Sequence, residues 1–306
     1  MELGVSLPTS GPLATPQNIA RVAQESERLG YAALWTYERL LRPVFPVPQF
    51  GGPPQPVPEI YRTVYEPLET LSFVAALTER IKLGTSVVDA LFHPPVVLAR
   101  RYATLDRFSG GRVIAGLGQG WMPQEFEAAG VPVKRMGAGM DDHVAAMRAC
   151  WGPDPVKYEG RFYRIAESEI NPKPVQEHIP VILGSVTAPG VQRAARIADG
   201  LNPIVFSADQ LRGLTTGFRD AARAAGRDPA GLSVIVRANV PITREPLGDD
   251  RPFLGGSPRQ IAVDLASLED LDLDQVLFSN VAPVSGVEEA VRLLAELRDA
   301  AAGVSA

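Results

Sequence analysis

The sequence is poor in the residues that build disulfide networks and metal centres. Its 306 residues include one cysteine and three histidines. Because a single cysteine cannot form an internal disulfide, we expect a protein of a reducing cytoplasm. Cys150 lies on the apolar face of a predicted helix, VAAMRACWG, and is interpreted as a buried, inert thiol. The histidines show no metal-ligand spacing such as H-x-x-x-H, so no metal is predicted at His93, His143 or His178.

Long apolar runs and concentrated positive charge are also missing. No apolar run approaches the roughly 20 residues that span a bilayer. The start, MELGVSLPTSG, lacks the basic and long apolar regions of a signal peptide. The formal net charge is −5, and no segment concentrates lysine and arginine. We therefore expect neither a membrane nor a nucleic acid as a partner.

What the chain does contain is apolar sequence in a regular alternation. Hydrophobic residues make up 45% and charged residues 21%, which suffices for a large core. Short apolar runs predict eight strands, at Leu3–Leu7, Ala33–Thr36, Ile81–Val88, Val113–Leu117, Pro180–Leu183, Leu201–Val205, Leu232–Val240 and Gln275–Ser279. Helical patterns follow at Gln17–Leu29, Pro67–Thr78, Pro95–Phe108, the stretch up to Trp151, Gly190–Ala198, Ala208–Ala225, Ser257–Leu268 and Val287–Ala301.

Eight strand–helix units predict an α/β fold, a (β/α)₈ barrel that forms a single domain over residues 1–306. A doubly wound sheet is the main rival, and it needs a glycine-rich turn after the first strand. The segment LPTSGPLATP contains no G-x-G-x-x-G, which disfavours the rival. Ligands of such barrels lie at the carboxyl ends of the strands.

Two segments interrupt the alternation of the barrel. The first, Leu41–Glu66, follows the second strand and is rich in proline, glycine and aromatic residues. We interpret it as a substrate lid, because long loops in compact domains are usually functional or mobile; a proline-rich partner motif is the alternative. The second, Pro153–Pro174, lies between strands four and five and is interpreted as a β-excursion or loop that caps the same face.

Small residues stand at the strand ends where side-chain chemistry would be expected. GLGQG, at Gly116–Gly120, is weak evidence for a dinucleotide site, since it equally suits a turn in which glycine adopts positive φ. The strand end Gly184–Ser185 precedes a helix that opens near Gly190, with Arg193 and Arg196 one turn apart behind it. A phosphate site at this helix start and an ordinary βα turn are equally compatible with the pattern.

Three motifs resemble the bacterial luciferase-like superfamily of flavin and deazaflavin oxidoreductases. They are LGTSV, HPPVVLARRYATLDRFSGGR and GLGQGWMPQEF, and the similarity also extends from LGVSLP to RIADG. The details are most similar to the branch that uses coenzyme F420, a 5-deazaflavin. The resemblance implies a TIM barrel that binds the flavin-like ring at its C-terminal mouth and functions as a homodimer.

The resemblance also implies positions for the cofactor. A bulge after strand three, often with a non-proline cis peptide, supports the ring in this family, and Ser86 and Val87 match that position. Gln119 and Gln124 match residues that reach the polar edge of the ring or its ribityl chain, and Thr36 would approach the ring edge. The phosphate positions of the family match Gly184, Ser185, Gly190 and Val191.

The substrate side is less well defined by the resemblance. Sugar-phosphate dehydrogenases of this superfamily carry a histidine after strand two and a glutamate after strand four, where this chain has Arg39 and Trp121. Neither side chain is an ordinary acid or base at neutral pH, so the chain departs from that activity. Glu38 and Tyr37 are candidate proton donors, although a surface carboxylate and a packed aromatic are the alternatives.

These observations predict an F420-dependent oxidoreductase that transfers hydride between the deazaflavin and a small organic substrate. A monooxygenase that uses reduced FMN and oxygen is the alternative. A non-catalytic flavin-binding barrel is a third reading, disfavoured because a carrier has little need of a lid. The candidate substrate-side residues are Glu38, Arg39 and Trp121.

Overall fold

The computed structural model describes residues 1–48, 52–281 and 285–304. In these ranges the strands are β1 (Glu2–Ser6), β2 (Ala33–Thr36), β3 (Val47–Pro48), β4 (Pro54–Gln55), β5 (Lys82–Thr85), β6 (Val88–Asp89), β7 (Val113–Gly118), β8 (Val156–Glu159), β9 (Arg164–Ser168), β10 (Val181–Leu183), β11 (Gly200–Leu201), β12 (Ser233–Ile242) and β13 (Gln275–Val281). The α-helices are α1 (Pro16–Arg28), α2 (Pro67–Ala75), α3 (Pro95–Ser109), α4 (Pro123–Ala128), α5 (Ala138–Trp151), α6 (Ala188–Ile197), α7 (Ala208–Ala224), α8 (Pro258–Ala266) and α9 (Val287–Val304).

Eight parallel strands close into a barrel, which confirms the predicted fold. Their order is β1, β2, β5, β7, β10, β11, β12 and β13, and β13 pairs with β1. The third predicted strand, Ile81–Val88, is not continuous. It is divided into β5 and β6 by a bulge at residues 86–87, and β6 pairs with the end of β7.

The boundaries of several helices follow from local chemistry. The helices α1, α2, α3 and α4 each have proline in the first turn, where its missing N–H costs no helical hydrogen bond. Helix α3 ends at Gly110, whose φ of 65° is in the left-handed region that glycine adopts without strain. The Thr187 side chain caps α6 by accepting from the Gly190 N–H.

An apolar cluster fills the barrel interior below the strand ends, and we call it the floor layer. Trp35 in this layer is fully buried, and its Nε1 donates to Gln275 Oε1 at 2.7 Å. A Cβ atom on Gly84 would lie 2.3 Å from the indole ring, so glycine there makes room for Trp35. The floor layer consists of Ala33, Trp35, Ile114, Ile182, Ile235 and Leu277.

The segment after β2 packs on the C-terminal face of the barrel. It contains the antiparallel pair β3–β4, and its residues 49–51 lie outside the described ranges. A separate apolar cluster joins this segment to the loop after β7 through Val47, Val57 and Met122, with Leu41, Tyr61 and Trp121 packed against it. The segment therefore contacts the face on which the strands end, which is where a lid would act.

The segment between α5 and β10 is a β-excursion, as predicted, but it lies along α5 and not over the strand ends. Its strands β8 and β9 pair antiparallel. The Asp142 carboxylate of α5 accepts from the Tyr158 hydroxyl at 2.6 Å and from the backbone N–H groups of Phe162 and Tyr163. An αβ connection starts on the N-terminal face, so this excursion climbs the outside of the barrel. None of the described helices is long and apolar enough to cross a membrane.

Candidate active site

The side chains one step above the floor layer form the upper lining of the barrel, and we call them the mouth layer. Successive side chains on a strand point to opposite faces, so a residue two positions beyond a floor residue also points inward. The inward-pointing residues are apolar in the floor layer and polar or small one step above it. The mouth layer consists of five residues two positions beyond a floor residue, Tyr37, Gly116, Gly184, Arg237 and Ser279, and of Ser86, two positions beyond Gly84.

The bulge between β5 and β6 projects into this layer at the position that the resemblance marked. Its peptide bond Ser86–Val87 is cis. The Val87 side chain lies between two strand ends that carry glycine: a Cβ on Gly118 would lie 2.5 Å from Val87 Cγ2, and one on Gly184 would lie 3.0 Å from Val87 Cγ1. A Cβ on Gly116 would lie 1.7 Å from Thr85 O. These glycines therefore allow the close approach of the bulge.

This geometry corrects the turn interpretation of the GLGQG cluster. Within that cluster only Gly120 has a positive φ, of 79°. Gly116 and Gly118 are needed because Thr85 O at the end of β5 and the Val87 side chain of the bulge occupy the space of a Cβ. The signal in the sequence therefore comes from close packing more than from a turn.

Hydrogen bonds from several strands hold the bulge. The Ser86 N–H donates to Thr36 O at 2.7 Å, and the Ser86 hydroxyl donates to Asn202 Oδ1 at 2.6 Å. A guanidinium nitrogen of Arg237 donates to Ser86 O. The Val87 carbonyl accepts from the Glu38 N–H at 3.0 Å. The bulge is therefore a fixed surface on which a flat ring could rest.

A second set of residues forms an ion pair at the rim. The guanidinium of Arg39 lies 2.5 Å from the fully buried Glu125 carboxylate, which also accepts from the Leu40 N–H at 2.8 Å. Burial raises the pKa of Glu125, and Arg39 opposes that rise. Arg39 lies between the rings of Tyr61 and Trp121, at 5.4 and 5.3 Å from their centroids. The structure thus brings two substrate-side candidates, Arg39 and Trp121, into contact.

Glu38 is buried, so the surface alternative considered for it is wrong. Its carboxylate accepts from the Asp89 N–H at 2.8 Å and lies 2.7 Å from His93 Nε2. Asp89 accepts from the Gly120 N–H at 3.0 Å, and burial raises its pKa to about 7. Glu38 therefore stabilises the bulge through its backbone N–H and the adjoining strand β6 through its side chain.

A shallow recess lies where the phosphate was expected. It has a volume of about 10 Å³. Gln119 Oε1 accepts from the Gly137 N–H at 2.6 Å beside it, and Arg193 Nε donates to Asp141 Oδ1 at 2.6 Å. Four predicted cofactor residues come together in this recess with an arginine of α6: Gln119, Gly184, Ser185, Gly190 and Arg193.

Three of the predicted contacts do not have the expected geometry. Thr36 points outward, since Trp35 before it points inward, and its hydroxyl donates to Pro67 O at 3.3 Å; Tyr37 lines the mouth in its place. The Val191 N–H donates to Thr187 O within the helix, and the Gly184 N–H donates to Leu117 O. Neither N–H is therefore available to a phosphate.

Gln124 retains a buried Oε1 without a hydrogen-bond partner among the described residues.

Sequence reasoning missed Arg237, Asn202 and Asp89. For Arg237 the sequence did offer a signal. It is the arginine of VIVRANV, a charged residue within an apolar strand, and it lies two positions after the inward-pointing Ile235. Asn202 and Asp89 offered no comparable signal, because their partners are distant in sequence. In the described part of the chain no three histidine, cysteine or acidic side chains are placed to hold a metal ion.

A roomier cavity lies far from this chemistry, on the N-terminal face of the barrel. It has a volume of about 480 Å³ and is lined by residues such as Met1, Leu3, Leu265 and Arg298. We take the smaller recess and the mouth layer as the candidate site, because the bulge and the strand ends meet there. The residues present fit a flat ring with a phosphate: the bulge, seated between Gly118 and Gly184, offers a backing surface, and α6 offers a helix N-terminus beside Arg193.

Sequence comparison places this chain beside known proteins. The family of luciferase-like monooxygenases matches residues 1–246. An uncharacterized protein of Mycobacterium tuberculosis is 36% identical over 246 residues, which cover 78% of this chain and 84% of the relative. An F420-dependent glucose-6-phosphate dehydrogenase of Segniliparus rotundus is 29% identical over 186 residues, 58% of this chain and 55% of the relative. A pyrimidine monooxygenase of Allorhizobium ampelinum is 27% identical over 180 residues, 56% of this chain and 48% of the relative.

Solved structures show the same fold at low sequence identity. A monooxygenase from Streptomyces bottropensis superposes with a TM-score of 0.77 at 22% identity, covering 100% of both chains. An F420-dependent tetrahydromethanopterin reductase from Methanopyrus kandleri gives a TM-score of 0.76 at 18% identity, over 96% of this chain and 97% of the other. With the family match over residues 1–246, the chain belongs to the luciferase-like monooxygenases, a family of oxidoreductases with F420-dependent and flavin-dependent relatives.

Proposed function

We propose that the chain is a coenzyme F420-dependent oxidoreductase that acts on a small organic molecule at the barrel mouth. The observation that carries the proposal is the bulge at Ser86–Val87, inserted between the glycines of β7 and β10. It forms a rigid apolar surface at the strand ends, where a planar ring can stack. The F420-dependent dehydrogenase among the relatives supports the choice of cofactor.

In this proposal the bound deazaflavin supplies hydride chemistry, and the protein supplies orientation and exclusion of water. The bulge supports the ring. The N-terminus of α6, with Ser185, Gly190 and Arg193, holds the phosphate, since helix N-termini favour anions. The segment after β2 covers the site through the cluster around Val47, Val57 and Met122.

The substrate is proposed to differ from a sugar phosphate. The Arg39 guanidinium has only donor groups and is paired with Glu125, so it offers no acceptor that could remove a proton. Trp121 carries no titratable group. Both side chains instead form the wall of the substrate space together with Tyr61.

A flavin-dependent monooxygenase is the second candidate. The observation that favours it is the similarity to a pyrimidine monooxygenase, which spans 56% of this chain. The same bulge and the same helix N-terminus would serve FMN, because FMN also carries a flat ring and a phosphate.

Cofactor dissociation constants separate the two candidates. Purified apoprotein is titrated separately with F420, FMN and a nicotinamide dinucleotide. We expect micromolar or tighter binding of F420 and much weaker binding of FMN. The opposite ranking would favour the monooxygenase, and binding of neither would contradict both.

Two arginines of α6 provide a matched pair for locating the phosphate. Both donate to Asp141, but Arg193 lines the recess and its side chain is 16% exposed, whereas that of Arg196 is 51% exposed. Arg193→Gln is expected to weaken cofactor binding about tenfold, since one charge-assisted contact is worth on the order of 1.4 kcal/mol. Arg196→Gln should leave the dissociation constant unchanged. Equal effects of the two variants would place the phosphate elsewhere.

A further inference from the structure

Arg237 forms no ion pair with an acidic side chain in the part of the chain that the structure describes. Its Nε donates to Asn239 Oδ1 at 2.7 Å, and a terminal nitrogen donates to Ser86 O. Both acceptors are neutral. The residue is half-buried, and among the described side chains no carboxylate lies within ion-pair distance of it. A guanidinium taken from water without a counter-ion is costly.

The position of Arg237 places this charge across the centre of the mouth. In the barrel order, β12 lies four strands from β5 in either direction, so the two are diametrically opposed. Arg237 of β12 nevertheless contacts the carbonyl of Ser86, which directly follows β5. The guanidinium therefore lies over the floor layer, at the point where both ring and substrate would enter.

Neighbouring groups offset the charge only in part, and none of those described forms an ion pair with it. The Tyr37 ring lies 5.0 Å from the guanidinium carbon and offers a face to it. Arg39 is a second cation, already paired with Glu125. Asp89 accepts from the Gly120 N–H and makes no ion pair with Arg237, although its charge raises the pKa of Arg237. Burial outweighs these favourable contacts and lowers the pKa of Arg237, which is the expected direction for a cation that has no ion-pair partner.

From this geometry we infer that Arg237 is the binding residue for a planar organic anion at the barrel mouth. A guanidinium presents donors in a flat fork that matches a carboxylate or a similar delocalised anion. Two sources share this chemistry: a carboxylate of the substrate, and the negatively charged pyrimidine edge of a reduced flavin-type ring. The inference deepens the proposed function and rests on it only for the second source.

The anion site is tested on the apoprotein with benzoate and with neutral benzamide as the matched probe. Isothermal titration should give a dissociation constant for benzoate at least tenfold below that for benzamide. Arg237→Gln should abolish the difference. Arg244→Gln, which removes an exposed arginine paired with Glu289, is the control and should retain it. Equal affinity for the two probes in the wild-type protein would overturn the inference.

A second variant keeps the test decisive if Arg237→Gln does not fold. Asn239→Asp leaves the arginine in place and supplies a carboxylate next to its Nε. The introduced carboxylate should compete for Arg237 and weaken benzoate binding at least tenfold without changing benzamide binding. Unchanged benzoate affinity in folded Asn239→Asp would mean that Arg237 has a purely structural role at Ser86.

The two sources are separated by adding cofactor. If the anion is the reduced ring, Arg237→Gln should weaken binding of reduced F420 at least tenfold more than that of oxidised F420, and benzoate should compete with the reduced form. If it is a substrate carboxylate, benzoate should bind beside the cofactor and the two redox forms should respond equally. Selective benzoate binding without any cofactor binding would retain the anion site while contradicting the proposed function.

Discussion

The floor layer and the mouth layer lie on the same strands, two residues apart, and differ completely in chemistry. Trp35, Ile235 and Leu277 below are apolar and buried. Tyr37, Arg237 and Ser279 above them are polar and hydrogen-bonded. One step in the inward register of a strand therefore separates residues that stabilise the barrel from residues that can bind a ligand.

The largest expected effect follows from breaking the floor layer. Trp35→Ala removes a fully buried indole and leaves Gln275 Oε1 without its donor, so the free energy of unfolding should fall by about 4 kcal/mol. Urea denaturation measures the loss. Phe73→Ala, at a side chain that is 44% exposed, is the control and should change it by less than about 0.5 kcal/mol. Similar losses in both variants would contradict the role of the floor.

A smaller but still large effect is expected at the rim of the mouth. Glu125→Gln leaves Arg39 buried without its counter-ion, at a cost of about 3 kcal/mol in the free energy of unfolding. Glu69→Gln breaks the more exposed pair with Arg101 and should cost at most about 1 kcal/mol. A free energy of unfolding of Glu125→Gln equal to that of the wild-type protein would show that the ion pair at the rim contributes little to the fold.

The third prediction concerns pH, because the mouth contains a buried acid. The pKa of Asp89 is raised from 3.8 to about 7, mainly by burial and further by Glu38 and Glu125, while Arg39 and the Gly120 N–H oppose the rise. A raised pKa means that the folded state favours the neutral acid. Ionisation then destabilises the wild-type protein progressively between about pH 4 and pH 7.

Asp89→Asn removes this ionisation and retains an acceptor for the Gly120 N–H. Relative to wild type, the variant should gain stability as the pH rises from about 4 to 7, and the gain should level off above 7. Unfolding free energies at several pH values measure it. Taking the difference between the two proteins cancels the contribution of His143, whose pKa burial lowers to about 4. A constant difference across this range would contradict the prediction.

The smallest effect is expected for a single hydroxyl of the mouth layer. Tyr37→Phe loses the hydrogen bond to the Ser10 hydroxyl, at 2.5 Å, and keeps the ring under Arg237. The free energy of unfolding should fall by about 1 kcal/mol. Benzoate affinity should stay the same, and a tenfold loss would assign the anion to the tyrosine hydroxyl.

The sequence was sufficient for the barrel, because apolar runs and helical patterns alternate along the chain, and each unit needs only local information. The bulge at Ser86 and Val87 was expected only from the resemblance to a known family, because the apolar pattern itself predicts a continuous strand over Ile81–Val88. The side-chain directions were harder. Thr36 was expected at the ring, yet it follows the inward-pointing Trp35 and so faces α2.

Contacts between distant residues were beyond the reach of sequence patterns. Arg39 and Glu125 are 86 positions apart, and Arg237 and Ser86 are 151 positions apart. Their pairing depends on which strands become neighbours or face each other across the barrel. Closure of the barrel therefore decides which charges of the mouth become partners, and a local pattern such as VIVRANV can mark an inward arginine but not its partner.

The central claim is that a flat redox cofactor lies on the bulge at Ser86–Val87. A crystal structure of the protein with bound F420 tests it most directly. We expect the ring to lie against Val87 and the phosphate to lie in the recess beside Ser185 and Gly190. A ring bound elsewhere, such as in the cavity beside Met1 and Leu3 on the opposite face, would contradict it.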